Sequence, residues 1–348
     1  MTYRFTITDW PDPVEIHPGE SILDAVLRVG VPISYGCRSG TCGACKAKLV
    51  SGQIELKSHS IYALPDRERT DGLILTCRAF PKRDGEIARL GTDENISHPL
   101  CRLETEVREI EDLTDDIRRI RLAVIKGGRL AFSAGQFASV TFEDQPPRDY
   151  SMANRPNDRL LEFHIRRVGG GASSVHATTA LAIGDRARVD GPYGACWLRE
   201  KHAGPILVVA GGSGLAPMKS IIETALAKGL RQPITLYVVA MQERELYMED
   251  HFFDLQERFE NFTFTPILTH SSGSTTRRLG AVHDVVLADG YDFEGMKAYS
   301  AGPPDIVEAL TEMLIARGIR PQDIHAEPFH IAPPETQARE TGKQEGTN

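Results

Sequence analysis

The chain runs to 348 residues, 41% hydrophobic and 25% charged, which is apolar material for two or three cores rather than one. A net charge of −8 argues against general nucleic-acid binding, which needs a concentrated basic footprint. No apolar run nears the ~20 residues of a membrane span, and the opening MTYRFTITDWPDP lacks the charged-then-apolar pattern of a secretory signal. A cytoplasmic protein with neither a nucleic acid nor a membrane as partner is therefore expected.

Residues 1 to about 90 read as short strands (YRFTIT, PVEI), one short helix (SILDAVLRVG) and a loop rich in Gly and Cys. The cytosol keeps thiols reduced, so the 6 cysteines need an explanation other than disulfides. Cys37, Cys42 and Cys45 share one loop, Cys77 follows at a distance, and together they form the C-x4-C-x2-C…C spacing of a plant-type [2Fe–2S] site. That chemistry needs thiolates converging from one tight loop. It also needs small residues, here Gly36, Gly40, Gly43 and Ala44, so that backbone N–H groups can approach the sulfurs. A structural zinc site would use paired C-x2-4-C knuckles, and the second knuckle is missing. Cys101 and Cys196 read as buried or incidental thiols.

Residues 91–100, GTDENISHPL, are polar and read as a linker. From about 101 to 200, strand patterns such as IRRIRLAV, QFASVTF, LLEFHIRRV and RARVDG recur between turn signals, as in an antiparallel barrel. Within this stretch stand Arg148-Asp149-Tyr150-Ser151 and then Gly169-Gly170-Gly171-Ala172-Ser173-Ser174. An Arg for a phosphate, a ring to pack on an isoalloxazine and a hydroxyl near N5 could serve one flavin. Glycines at a helix N-terminus could hold its diphosphate. Each stretch alone is a weak signal and reads better as an ordinary strand end or a turn with a Ser cap; in this order they reinforce one another.

After Gly204 the apolar runs ILVVAGG, ITLYVVA, FTFTPIL and KAYSAG alternate with helical stretches such as APMKSIIETALAKG and IVEALTEMLIARG, the pattern of βαβ units and a parallel sheet. Gly211-Gly212-Ser213-Gly214-Leu215-Ala216-Pro217 turns from strand to helix like a dinucleotide phosphate site, although Pro217 stands where a third Rossmann glycine would be. Ala301-Gly302-Pro303-Pro304 ends another strand of the same sheet, so two Gly-rich strand ends face one crevice. The tail, PPETQARETGKQEGTN, is polar throughout and reads as disordered.

A [2Fe–2S] loop, RxYS, a GG-x-x-S turn, GG[ST]G-x-AP and a CGPP-like element, in that order, resemble the ferredoxin-NADP-reductase superfamily. More narrowly they resemble the NADH-dependent reductase components of bacterial multicomponent oxygenases. The stretch GPYGACWLREKHAGPILVVAGGSGLAP is most similar to reductases of naphthalene-type ring-hydroxylating dioxygenases. The resemblance implies a β-grasp [2Fe–2S] ferredoxin domain (residues 1–92), an antiparallel β-barrel flavin domain (99–202) and a parallel-sheet α/β nicotinamide-nucleotide domain (203–331), and leaves outside it the tail (332–348) read as disordered from its composition. It implies FAD, with Arg148, Tyr150 and Ser151 at the flavin and Gly170, Gly171, Ala172, Ser173 and Ser174 at its diphosphate. It places Gly211, Gly212, Ser213, Gly214, Gly302 and Pro303 at the nicotinamide nucleotide, and brings Glu327 and Phe329 close to the flavin. Ser151 and Glu327 become the candidate catalytic residues.

Two departures stand out. Ala301 occupies the usual Cys position of the CGPP-like element, and Met241 stands where an arginine is often seen, followed by Glu243, Arg244 and Glu245. An acidic residue there suits an unphosphorylated ribose, whereas Arg244 would attract a 2′-phosphate; the reading favours NADH. The expected function is oxidation of NADH at FAD and passage of single electrons through the cluster held by Cys37, Cys42, Cys45 and Cys77. The expected acceptor is a ring-hydroxylating dioxygenase system, through its oxygenase component or a Rieske-type ferredoxin. The alternatives are the reductase of a soluble di-iron monooxygenase and a non-enzymatic electron carrier or redox sensor. Residues 1–90 hold 12 Lys/Arg against 11 Asp/Glu, and Arg38 lies inside the cluster loop, so an acidic partner is expected to dock there.

Overall fold

A computed structural model describes residues 2–31, 33–35, 38, 40, 43–61, 63–90, 98–270 and 275–330. The first part holds, in chain order, β1 (Tyr3–Ile7), β2 (Val14–Ile16), α1 (Ile22–Arg28), β3 (Lys46–Ser51), β4 (Ile54–Leu56), α2 (Asp66–Thr70), β5 (Leu73–Leu75), β6 (Ala79–Pro81) and β7 (Gly85–Arg89). Five of these strands form a sheet in the order β2-β1-β7-β3-β5, with β1 and β7 parallel. Alternation decides the faces: in β1, Phe5 and Ile7 are buried while Arg4 and Thr6 face out. The helix SILDAVLRVG starts where its chemistry says it should. The Ser21 side chain accepts from the Asp24 N–H, and Ile22, Leu23, Ala25 and Val26 pack onto the sheet.

The second part holds β8 (Cys101–Asp112), β9 (Ile117–Lys126), β10 (Phe137–Phe142), β11 (Arg148–Ser151), β12 (Leu161–Arg166), α3 (Ala172–Thr179) and β13 (Arg186–Tyr193). They form one antiparallel sheet in the order β11-β10-β13-β8-β9-β12. The sheet curls until its edges meet, because Met152, just past β11, bridges Phe163 of β12. The result is a near-barrel around Phe142, Phe163, Ile165 and Val189.

The third part contains β14 (Ile206–Gly211), α4 (Leu215–Ala227), β15 (Ile234–Ala240), α5 (Glu249–Arg258), β16 (Phe262–Leu268), β17 (Arg278–Leu279), α6 (Val282–Ala288), β18 (Lys297–Gly302), α7 (Pro304–Ala316) and β19 (Ile324–Pro328). All pair in parallel, in the order β17-β16-β15-β14-β18-β19. Every residue of β14 and β18 is buried, as a sheet covered on both faces requires. Val208 and Ala210 point into one core, Leu207 and Val209 into the other. The strand order reverses between β14 and β18, and the crevice beyond their C-terminal ends is where such sheets bind ligands. No helix among the described residues is long and apolar enough to cross a membrane.

Candidate functional site

The cysteine centre is assembled by strand pairing. β3 begins just after Cys45, β5 ends just before Thr76, and Lys46 stands opposite Leu75, so Cys45 and Cys77 arrive side by side. Both are buried, with their sulfurs 3.2 Å apart. That is well beyond the ~2.05 Å of a disulfide. Thr76 fixes the pair: its N–H and hydroxyl both donate to the Cys45 carbonyl, at 3.1 and 2.9 Å. Two converging thiols outside any disulfide fit half of a four-thiolate iron–sulfur donor set. The other two expected ligands, Cys37 and Cys42, lie outside the described residues, as does Gly36. Gly43 shows why the loop needs small residues. Its φ is +73°, and a Cβ there would come within 2.9 Å of the Ala63 carbonyl.

Arg38, expected at a docking face, is ion-paired with Asp24. Burial pushes the Asp24 carboxyl up, but Ser21 and Arg38 together hold it below its ordinary value. Tyr35, on the cluster side of the boundary with the barrel, has its phenol pushed up to about 12, first by burial and then by Tyr193.

β11 is an edge strand, and the register sets Arg148 opposite Val140, Tyr150 opposite Ala138 and Ser151 opposite Phe137. Ser151 is buried, Arg148 and Tyr150 are half-buried, and Asp149 faces out. The Tyr150 hydroxyl lies 3.4 Å from Ser173 Oγ, which joins the RDYS strand to the glycine turn. The turn feeds α3 with Gly171 as N-cap and no side-chain cap, and Gly170 has φ +77°. The orphan N–H groups at that helix start are therefore not claimed by a side chain, as a diphosphate site requires. Ser174 is used structurally, accepting from the Val168 N–H at 3.1 Å.

The nucleotide turn is built the same way. β14 passes through a short 3-10 turn, Gly212–Gly214, into α4, which also lacks a side-chain cap. Pro217 falls in the first turn of α4, where its missing N–H costs no helix hydrogen bond. The two Gly-rich strand ends meet backbone to backbone. A Cβ on Gly214 would lie 2.2 Å from the Ala301 carbonyl, and one on Gly302 would lie 2.6 Å from the Gly211 carbonyl. β19 completes the crevice, with Glu327 opposite Ala301 and the Phe329 N–H donating to the Gly302 carbonyl at 2.8 Å. Cys196 is buried in the same corner, its thiol donating to the His325 carbonyl at 3.2 Å and pushed up by burial and by Glu327. The chain thus sets Ser151 opposite Phe137 in the barrel and brings Gly302, Glu327 and Phe329 together at the ends of the parallel strands. At the C-terminal end of β15, Met241 donates its N–H to Glu245 at 3.2 Å, and Glu243 accepts from Thr275 at 2.7 Å.

Sequence reasoning missed a buried ionic junction between barrel and nucleotide sheet. Glu162 of β12 accepts from Arg121 at 2.7 Å, from His164 Nε2 at 3.0 Å and from Lys219 of α4 at 3.2 Å. Burial pushes the Glu162 carboxyl up, yet His164, Lys219 and Arg121 hold it well below the ordinary range. Burial, only partly opposed by Glu162, holds the His164 imidazole below its ordinary value. The Tyr247 hydroxyl lies 3.2 Å from His164 Nδ1 and 3.3 Å from the Gly212 carbonyl, so the network ends on the glycine turn. The available signal was Lys219, a lone charge inside the apolar run LAPMKSII of α4.

Three family models match in succession: a 2Fe-2S iron-sulfur cluster binding domain over residues 7–82, an oxidoreductase FAD-binding domain over 104–197 and an oxidoreductase NAD-binding domain over 208–312. The ferredoxin–NAD(P)(+) reductase component of the naphthalene 1,2-dioxygenase/salicylate 5-hydroxylase systems of Ralstonia sp. is 36% identical over 323 residues, covering 92% of this chain and 97% of that one. The reductase component of phenol 2-monooxygenase from Pseudomonas sp. is 34% identical over 341 residues, covering 95% and 96%. Among solved structures, the Amycolatopsis cytochrome P450 reductase GcoB superposes with a TM-score of 0.79 at 33% identity, covering 94% of this chain and 99% of that one.

Proposed function

The chain belongs to the reductase components of bacterial multicomponent oxygenases, flavin and iron–sulfur oxidoreductases of the ferredoxin–NAD(P)+ reductase type, and from that premise we propose that it uses NADH and serves a ring-hydroxylating dioxygenase system in the cytoplasm. In this reading residues 1–92 carry the cluster, 99–202 the flavin and 203–331 the nucleotide.

When bound, FAD supplies the conversion of a two-electron hydride donor into single electrons, which a [2Fe–2S] cluster then carries. This chain's residues orient and tune. Arg148, Tyr150 and Ser151 present a cation, a ring and a hydroxyl from one edge strand, and Gly170 to Ser174 open an uncapped helix for a diphosphate. Gly211 to Gly214 with Gly302 and Pro303 form the nucleotide floor, where backbone packing leaves no room for a Cβ at Gly214 or Gly302. Glu327 and Phe329 close it from β19. The preference for NADH rests on Glu243 and Glu245 at the end of the second strand, where carboxylates suit ribose hydroxyls and repel a 2′-phosphate.

The single observation that carries the acceptor is the 36% identity with the Ralstonia reductase over nearly the whole of both chains. A second reading, service to a monooxygenase, has the phenol 2-monooxygenase relative at 34% in its favour. Anaerobic titration with NADH while recording flavin absorbance and the cluster EPR signal tests the core of the proposal. Bleached flavin followed by a reduced [2Fe–2S] signal is expected. Reduction by NADPH alone would overturn the nucleotide preference, and response to dithionite but to neither nucleotide would leave an electron carrier. Faster turnover with a purified monooxygenase than with a Rieske-type acceptor would select the second reading.

A further inference from the structure

Between the cysteine-bearing sheet and the barrel, no apolar core is shared among the described residues. One core draws on residues from Phe5 to Ile87, the other on residues from Leu103 to Val189. Aromatic rings stand at this boundary instead. Tyr35, which precedes Cys37 in the cluster loop, sets its ring edge-on to Tyr193, with centroids 6.2 Å apart and planes at 69°. Its hydroxyl comes within 3.5 Å of the Pro192 carbonyl. The Tyr193 ring packs in turn against Phe137, at 5.8 Å and 43°. These are the edge-on and tilted geometries that aromatic quadrupoles favour.

The far end of this row is the flavin motif. Phe137 of β10 lies between Tyr193 of β13 and Ser151 of β11 in the sheet register. Gly194 leaves room for the stack: its φ is +101°, and a Cβ there would lie 2.9 Å from the Phe137 ring. Arg38 acts electrostatically on both Tyr35 and Tyr193, while its guanidinium pairs with Asp24 of α1 within the cysteine-bearing part.

Resting on the reductase reading above, we propose that Tyr193, packed between Tyr35 and Phe137, is a positioning residue that holds the iron–sulfur loop against the flavin strand and so sets the rate of electron passage between the two centres. Electron tunnelling through protein falls steeply with separation. A ring packed between Tyr35 of the loop and Phe137 of β10 opposes the parting of loop and barrel.

Stopped-flow mixing of NADH with the anaerobic holoenzyme separates flavin bleaching from the later rise of the reduced-cluster signal. In Tyr193→Leu, flavin bleaching and the cluster EPR spectrum stay as in the parent, while cluster reduction slows by about ten-fold or more, the loss of two ring contacts. Small-angle scattering of the same holoenzyme gains a larger maximum dimension. Tyr193→Phe, which keeps the ring, behaves as the parent in every readout. Unchanged cluster reduction and scattering in Tyr193→Leu overturn the proposal, and so does equal slowing in Tyr193→Phe. Should Tyr193→Leu yield no holoenzyme, Tyr35→Leu from the other side of the contact must show the same split, and parental behaviour there counts against the proposal. A parent protein that fails to bleach with NADH strikes at the reductase reading instead.

Discussion

The barrel has two neighbours and is joined to them by opposite chemistry. Toward the nucleotide sheet the joint is a shared core: Ile117, Ala134, Cys196 and Leu198 pack into the same cluster as Val208, Leu215 and Ile221. Buried polar bonds reinforce it, with Lys219 on Glu162, the Ser220 hydroxyl on the Asn154 carbonyl at 2.7 Å and the Arg199 N–H on the Tyr299 hydroxyl at 2.9 Å. Toward the cysteine-bearing sheet the joint is a short row of rings, Tyr35 and Tyr193 half-buried and Phe137 buried, with the Tyr35 hydroxyl 3.5 Å from the Pro192 carbonyl. A buried ionic junction tolerates little change, since each partner is desolvated and needs the other. A ring contact is worth only a fraction of that and can part without unfolding either side. The difference suits the chemistry proposed for each boundary: hydride transfer needs fixed geometry, whereas electron transfer to an outside acceptor needs access.

The largest effect should come from breaking the ionic junction. Glu162→Ala leaves Lys219 and Arg121 without their shared carboxylate and should cost about 3–5 kcal/mol. Calorimetry should show barrel and nucleotide sheet melting early together, while bleaching of the cluster chromophore keeps its own midpoint. If cluster and flavin transitions move in step, the contrast between the two joints is wrong. Gly302→Ala comes next, because φ +135° and a Cβ 2.6 Å from the Gly211 carbonyl strain the crevice by about 2 kcal/mol. Its mark should be weaker NADH binding measured by calorimetric titration, with the cluster EPR spectrum unmoved.

Acid should sharpen the same contrast. His164 is held below its usual 6.5 and Glu162 below its usual 4.5, so both groups bind more protons unfolded than folded. Their contribution is complete at neutral pH. It is lost as pH falls below about 6.5 for His164 and below about 4.5 for Glu162. The melting temperature of the flavin-bearing part should therefore fall over that range, and Glu162→Gln should flatten the lower end of the slope. The smallest effect is expected within the cysteine sheet itself: Thr76→Val removes one buried hydroxyl bond to the Cys45 carbonyl, about 1 kcal/mol by chemical denaturation.

Much of this molecule can be read residue by residue. The helix at Ile22–Arg28 is announced by Ser21 and its apolar spacing, and the parallel sheet by fully apolar runs such as ILVVAG. β8 is less visible, because its charged residues alternate with too few apolar ones: Leu103, Thr105 and Val107 face in, while Arg102 and Glu104 face out. The junction at Glu162 was illegible for a different reason. Glu162 and His164 occupy one face of β12 and read as a solvated face until α4 and Tyr247 are laid over them. Arg38 was legible as a loop cation but not as the partner of Asp24, which sits on another element.

By itself the sequence determined the local chemistry: the cysteine spacing, the glycine turns, the strand and helix periods and the order of the three parts. Those signals are carried by residues a few positions apart, where backbone geometry alone restricts what a residue type can do. Only the tertiary structure decided that Glu327 stands opposite Ala301, that Lys219 is paired with Glu162, and that Tyr35 and Tyr193 meet. These contacts join residues far apart along the chain, and no period or motif records them. They follow from how sheets register, curl and pack, which is settled by burial summed over whole surfaces rather than by any one residue.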